Sequence, residues 1–295
     1  MTSWAIRCGV IRTRLHAFVT HLNPVLRSAF TVVLIAIGTA CFSATNAYAQ
    51  ANRNAKITVL VYHDIQGGED AQANHMVVRL SLFKKQMQYL SENGYQTLGL
   101  SELEDFLSGK KTSEKKIVVL HFDDGLKSVS EVLPVLSEHR FKASFALVPG
   151  MVGVYPSMTW AEISKIIGNP QYDVMSHTMM HRCQTFIAYE GSSGKTAEKA
   201  EHDLAESRRI ISEKAGKQVS ALVWPCATVS DASVKLAVRL GYTSLFVTDG
   251  QTNYAGSGNR HNIHRIGISG YCSMNEFVRT VSDGVGIACS PPKAK

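Results

Sequence analysis

The chain is poor in several things that would have decided its class at once. Only 19% of its 295 residues are charged and 45% are hydrophobic, so it has neither the polar excess of a disordered chain nor a stretch that spans a bilayer. No sustained heptad and no repeating block occurs, which excludes a coiled coil and a short-period repeat protein. Cysteine is present six times without any C-x-x-C pair, so a cysteine-built zinc site and a thioredoxin-like motif are both unsupported. Apart from Glu190–Lys195 (EGSSGK), which reads as a surface loop, no internal linker rich in Pro, Gly or Ser breaks the chain. What remains is one large α/β domain or two smaller ones.

Acidic residues are missing from positions 1–49, which hold Arg7, Arg12, Arg14 and Arg27. An apolar run of 16 residues, Ala29 to Ala44, follows, and then Ala47-Tyr48-Ala49. A basic start, a short apolar middle and an A-x-A exit predict a secretory signal cleaved after Ala49, leaving a domain over 50–295 with no stable membrane insertion. The run falls short of the roughly 20 residues that span a bilayer, which weighs against retention as an anchor. Export to the periplasm, the cell envelope or the medium is therefore expected. Removing the four arginines from 31 basic residues leaves 27 against 24 acidic ones, so the net charge falls from +7 to +3. Four cysteines stay: Cys183, Cys226, Cys272 and Cys289. An oxidising compartment allows them up to two disulfides in any of three pairings. In Lys195–Lys217 basic residues interleave with Glu198, Glu201, Asp203, Glu206 and Glu213, with no accompanying set of aromatics. That is a solvated helix face and no nucleic-acid surface.

Apolar runs bounded by turn residues predict strands at Ile57–His63, Ile117–Phe122, Ala143–Val148, Tyr172–Met175, Ser220–Trp224, Thr243–Val247 and His264–Ile268. Helical patterns alternate with them, from Ser81 to Gly94 and at 160–167, 196–215 and 231–240. Capping boxes are expected at Ser101/Glu104, Ser128/Glu131 and Ser273/Glu276. About seven strands separated by helices argue for a parallel sheet, either a barrel or an open doubly wound sheet, with the chemistry at the carboxyl ends of the strands. Polar clusters stand at those ends: His63-Asp64, Asp123-Asp124-Gly125, Ser176-His177 and Trp224-Pro225-Cys226.

Asp123-Asp124-Gly125 taken alone could be a turn, and a single histidine could be a core residue. His177 and His181, four apart, can face one cation. With an Asp at another strand end they make three N/O ligands and leave a position open, as a catalytic zinc-like ion requires. The second Asp is placed as a water-activating base. Trp224 reads equally as a sugar-stacking surface or as a core tryptophan.

These residues resemble the NodB-homology polysaccharide deacetylases, carbohydrate esterase family 4. The family motif T-F-D-D-G stands here as His121-Phe122-Asp123-Asp124-Gly125, and H-[ST]-x-x-H as His177-Thr178-Met179-Met180-His181. VLVYHDI, FKKQMQYLSENGYQTL and KASFALVPG match around them, in the manner of the branch acting on poly-β-1,6-N-acetylglucosamine. The resemblance implies a single-domain, distorted (β/α) barrel of about seven parallel strands. It also implies an exported enzyme that hydrolyses N-acetyl groups of an N-acetylated polysaccharide. The implied cofactor is one divalent ion, zinc with cobalt, nickel or manganese as alternatives, held by Asp124, His177 and His181, and Asp123 is the implied base. The family's third motif departs, reading Val223-Trp224-Pro225-Cys226-Ala227 without the usual Arg and Tyr, so only the Cys226 N–H is carried over as an oxyanion donor. The family's late Leu-His acid has no clean match; His264 is the nearest, and Asp249 is a candidate for the fourth motif. Two other readings stand beside it: a noncatalytic carbohydrate-binding protein on the same fold, and a metallohydrolase of O-acetyl esters or cyclic amides.

Overall fold

The computed structural model describes residues 55–68, 71–191, 194–225 and 229–291. The expected signal 1–49, Cys226 and part of the loop 190–195 lie outside them. In chain order the strands are β1 (Lys56–Tyr62), β2 (Asp64–Gln66), β3 (Val77–Arg79), β4 (Tyr95–Thr97), β5 (Lys116–Phe122) and β6 (Ala143–Leu147). They continue with β7 (Tyr172–Ser176), β8 (Ala221–Val223), β9 (Ser244–Thr248), β10 (Asn253–Tyr254) and β11 (Ile263–Gly267).

Seven of these close on themselves. The ring runs β1, β11, β9, β8, β7, β6, β5 and back to β1, every pair parallel, and the closing β1–β5 pair runs in register from Ile57↔Ile117 to Tyr62↔Phe122. All seven strands expected from the apolar runs are in the ring, so the barrel holds and the open sheet does not. The ring is irregular where short strands fill in. β4 pairs with the start of β5 while β6 pairs with its end, and β10 runs antiparallel to the start of β1.

Alternation along the strands sorts the core into layers, because successive side chains leave opposite faces. Ile57, Val59, Ile117, Val119, Ala146, Met175, Ala221, Val223, Phe246 and Ile263 form one cluster, the barrel interior. Their neighbours Leu60, Tyr62, Leu120, Phe122, Phe145, Leu147 and Val174 point outward and pack with helical residues such as Phe83, Met87, Leu136 and Ile163. The helix Leu80–Glu92 shows the logic: Phe83, Met87 and Leu90 are spaced to one face and buried, and Gly94 turns the chain at φ +72°. Each such side chain contributes roughly 1.5–3 kcal/mol by leaving water.

Two of the three expected capping boxes are not formed. The helix Leu100–Leu107 starts before Ser101, with Gly99 at its N-cap and Glu102 accepting the Gly99 N–H at 3.1 Å. Asp173 of β7 accepts the Leu100 N–H at 3.0 Å, so a carboxylate from across the fold does the capping, a partner invisible in local sequence. Ser128 instead donates to Asp64, and Lys127–Glu131 is a 3₁₀ turn leading into the helix Val132–Glu138. The Ser273/Glu276 box forms as expected on the helix Met274–Asp283. Cys272 and Cys289 are joined by a disulfide, and Cys183 is disulfide-bonded as well.

Candidate metal and acid–base centre

The interior face of the barrel ends in polar residues. Following the alternation past the last apolar layer leads to His63 after β1, Asp123 after β5 and His177 after β7, and to Arg265 within β11. Backbone ladders extend to hold two of these: the Asp123 N–H donates to Tyr62 O and the His177 N–H to Leu147 O.

Asp123 is 1% exposed and faces an equally buried Arg265. The guanidinium donates from Nη1 to Oδ1 at 2.8 Å and from Nη2 to Oδ2 at 2.7 Å, with Nη2 also donating to Thr248 at 2.8 Å. Burial alone would raise the Asp123 pKa; the charge of Arg265, aided by His177, overrides it and holds the carboxyl well below its ordinary value. The carboxylate is therefore ionised and fixed in orientation. Its Oδ2 lies 3.7 Å from His177 Nε2 and 4.0 Å from His63 Nε2.

Asp124, His177 and His181 each offer one ligand atom, all within 4.8 Å of one another. Asp124 Oδ1 is 3.5 Å from both His177 Nε2 and His181 Nε2. Two ligands on a tetrahedral ion with arms of about 2.1 Å stand about 3.4 Å apart, so the spacing fits. His177 Nδ1 lies 2.9 Å from the Val223 carbonyl, which can only accept, so Nδ1 carries a proton and Nε2 is the ring atom turned to the site. Two N donors and one carboxylate suit a borderline divalent ion such as zinc. Burial lowers the His63 and His181 pKa values, while for His177 the opposing charges of Asp123 and Asp124 outweigh burial and raise it. Four non-glycine residues have left-handed backbone among the described residues, and three of them, Asp124, Thr178 and His181, are in these loops. Such conformations cost energy and cluster where side-chain aim matters.

Other expected residues are not brought here. His264 alternates with Arg265 and so leaves β11 on the opposite, outer face, where its Nδ1 meets Asp249 Oδ2 at 2.7 Å. Trp224 is 1% exposed, on the outer face of the barrel beside Phe186, Leu204 and Tyr242; it is a core tryptophan and no sugar platform. Cys226 lies outside the described residues. The arginine missing from the motif around Trp224 is supplied by Arg265, far along the chain. A signal was available: an arginine inside an otherwise apolar strand needs a buried anion. His63 stands at its strand mouth in the sequence, and ring closure between β1 and β5 is what carries it to Asp123.

A family model described as polysaccharide deacetylase matches residues 110–245. The chain is 26% identical over 238 residues to YxkH of Bacillus subtilis (strain 168), named for its likeness to polysaccharide deacetylases; this covers 79% of the chain and 78% of YxkH. It is 22% identical over 255 residues to the poly-β-1,6-N-acetyl-D-glucosamine N-deacetylase of Escherichia coli (strain K12), covering 75% of the chain and 38% of that enzyme's length. Among solved structures, the Streptococcus pyogenes deacetylase PplD in complex with acetate superposes with a TM-score of 0.66 at 22% identity, over 77% of the chain and 99% of PplD.

Proposed function

We propose that this chain, which carries a polysaccharide deacetylase domain of the NodB-homology type, is an exported, metal-dependent hydrolase of N-acetyl groups on an N-acetylglucosamine polymer. The observation that carries this reading is the meeting of an Asp-His-His donor set with a guanidinium-clamped carboxylate and a third histidine at the carboxyl ends of one barrel. Asp124, His177 and His181 would hold a divalent cation, which would supply Lewis acidity toward water and a carbonyl oxygen.

The chain's own groups do the rest. Asp123, kept ionised by Arg265, takes a proton from the attacking water at Oδ2, the oxygen turned toward His177 and His63. His63, rather than the outward His264, passes the proton taken up by Asp123, 4.0 Å away, on to the departing amine; it is 21% exposed and shares the interior face with Asp123. The two neighbouring aspartates then differ in role because their surroundings differ, one paired with Arg265 and one turned to His177 and His181. Export is supported by the basic, apolar, A-x-A beginning and by disulfide-bonded Cys183, Cys272 and Cys289. No helix of the described residues is long and apolar enough to cross a membrane.

The test is acetate release from β-1,6-linked N-acetylglucosamine oligomers, chitin oligomers and peptidoglycan, after metal removal and add-back. Asp123→Asn should abolish release and keep bound metal; His177→Ala should lose the metal. A purified protein that holds no divalent ion and frees no acetate from any of the three refutes the proposal.

A further inference from the structure

Nine large apolar side chains are exposed among the described residues, and four of them, Met151, Val154, Tyr155 and Met180, belong to one place. Three come from the loop 149–158 (PGMVGVYPSM) that follows β6; Met180 comes from the loop between His177 and His181. The loop 149–158 is laced to both metal-ligand loops. On one side the Lys127 N–H donates to Pro156 O and the Met158 N–H to Gly125 O, each at 2.9 Å, and Leu126 forms a bridge with Ser157. On the other side the Gly150 N–H donates to Met179 O at 3.0 Å. A Cβ on residue 150 would stand 2.6 Å from that oxygen, so glycine is what permits the close approach. The segment therefore forms part of the rim of the mouth, between Asp124 and His181, and carries no charged group. Tyr155 is 89% exposed on it.

Leaving such a side chain in water is unfavourable unless something covers it. A monosaccharide filling the centre would not reach beyond the rim; the next units of a polymer would. Pyranose rings present apolar C–H faces and neutral acetamides, which suit an uncharged aromatic and thioether surface. We infer that Tyr155, with Met151, Val154 and Met180, forms a subsite that stacks the sugar units flanking the reacting one in a neutral N-acetylated glycan. This rests on the proposed substrate class and adds that chain length is read at this rim.

The test is binding, so that it does not depend on turnover. In an Asp123→Asn background, calorimetry with a β-1,6-linked N-acetylglucosamine pentamer should show Tyr155→Ala weakening affinity about tenfold and Tyr155→Phe within about twofold of the parent. Affinity for the N-acetylglucosamine monosaccharide, which does not reach the rim, should change by less than about twofold. Because Tyr155 is exposed, the melting temperature should not move, which separates lost binding from lost folding. Pentamer affinity unchanged in Tyr155→Ala overturns the inference. So does co-sedimentation of the parent with phosphatidylcholine vesicles that Tyr155→Ala alone abolishes at constant glycan affinity, which would assign the patch to a lipid surface. Tyr155-dependent glycan binding by a parent whose native form frees no acetate would instead refute the deacetylase reading and leave the subsite standing.

Discussion

Replacing Arg265 by Met asks how much the site depends on one buried guanidinium. The arginine and Asp123 are each 1% exposed and share two hydrogen bonds of 2.7–2.8 Å. Methionine keeps much of the volume, removes the charge and leaves a carboxylate buried without its main partner. Breaking a buried pair this way costs about 3–5 kcal/mol. His177 at 3.7 Å and His63 at 4.0 Å still face the carboxylate, so the low end, about 3 kcal/mol, applies. At about 2–4 °C per kcal/mol for a domain of this size, the midpoint should fall by roughly 6–12 °C. The pH dependence has a definite sign. The folded pKa of Asp123 is depressed, so the pair's stabilisation is present above the unfolded value of about 3.9 and is lost as pH falls through the folded pKa. Wild type and variant should therefore differ most at neutral pH and converge in acid. With burial no longer opposed by the guanidinium, the Asp123 pKa rises, and the acid limb of kcat/KM moves to higher pH. Urea unfolding between pH 3 and 8 and a pH–rate profile read both effects. A loss under about 1 kcal/mol with an unmoved acid limb would show that the clamp sets neither stability nor ionisation.

Three further outcomes are expected. His63→Ala should lower kcat by about 10²-fold or more with metal retained, whereas His264→Ala should leave kcat within about twofold; acetate-release kinetics decide, and the reverse ranking would move the proton donor to the outer face. Gly150→Ala places its Cβ 2.6 Å from Met179 O and 2.3 Å from Met180 Sδ, while Met179 N is held by Asp203 at 2.6 Å, so strain of about 1–3 kcal/mol should pass into the metal loop and weaken zinc affinity in a competition titration. The double variant Cys272→Ser/Cys289→Ser opens a link with a sequence separation of 17 and should lose about 3 kcal/mol in urea unfolding; an unchanged midpoint would show that the bridge does not constrain the unfolded chain.

The sequence by itself determined the parts that depend on neighbours along the chain. Seven apolar runs became the seven ring strands because a buried parallel strand needs nothing but continuous β-branched and aliphatic residues. The helix Lys195–Ala215 and the Ser273 cap were legible for the same reason, since periodicity and capping act within a few residues. The Asp124, His177 and His181 set was legible because Asp124 follows the end of β5 and both histidines lie in the loop after β7, and a parallel barrel gathers such loops at one mouth.

Only the tertiary structure decided what lies across the fold. Gly99 rather than Ser101 begins its helix because Asp173, 73 residues away from Leu100, supplies the cap. Arg265 rather than a residue near Trp224 clamps Asp123, from 142 residues away. His63 joins the centre and His264 leaves it for one reason: a strand sends successive side chains to opposite faces, and only ring closure fixes which face is the inside. A motif names the residue types, whereas strand parity and closure decide which of them meet.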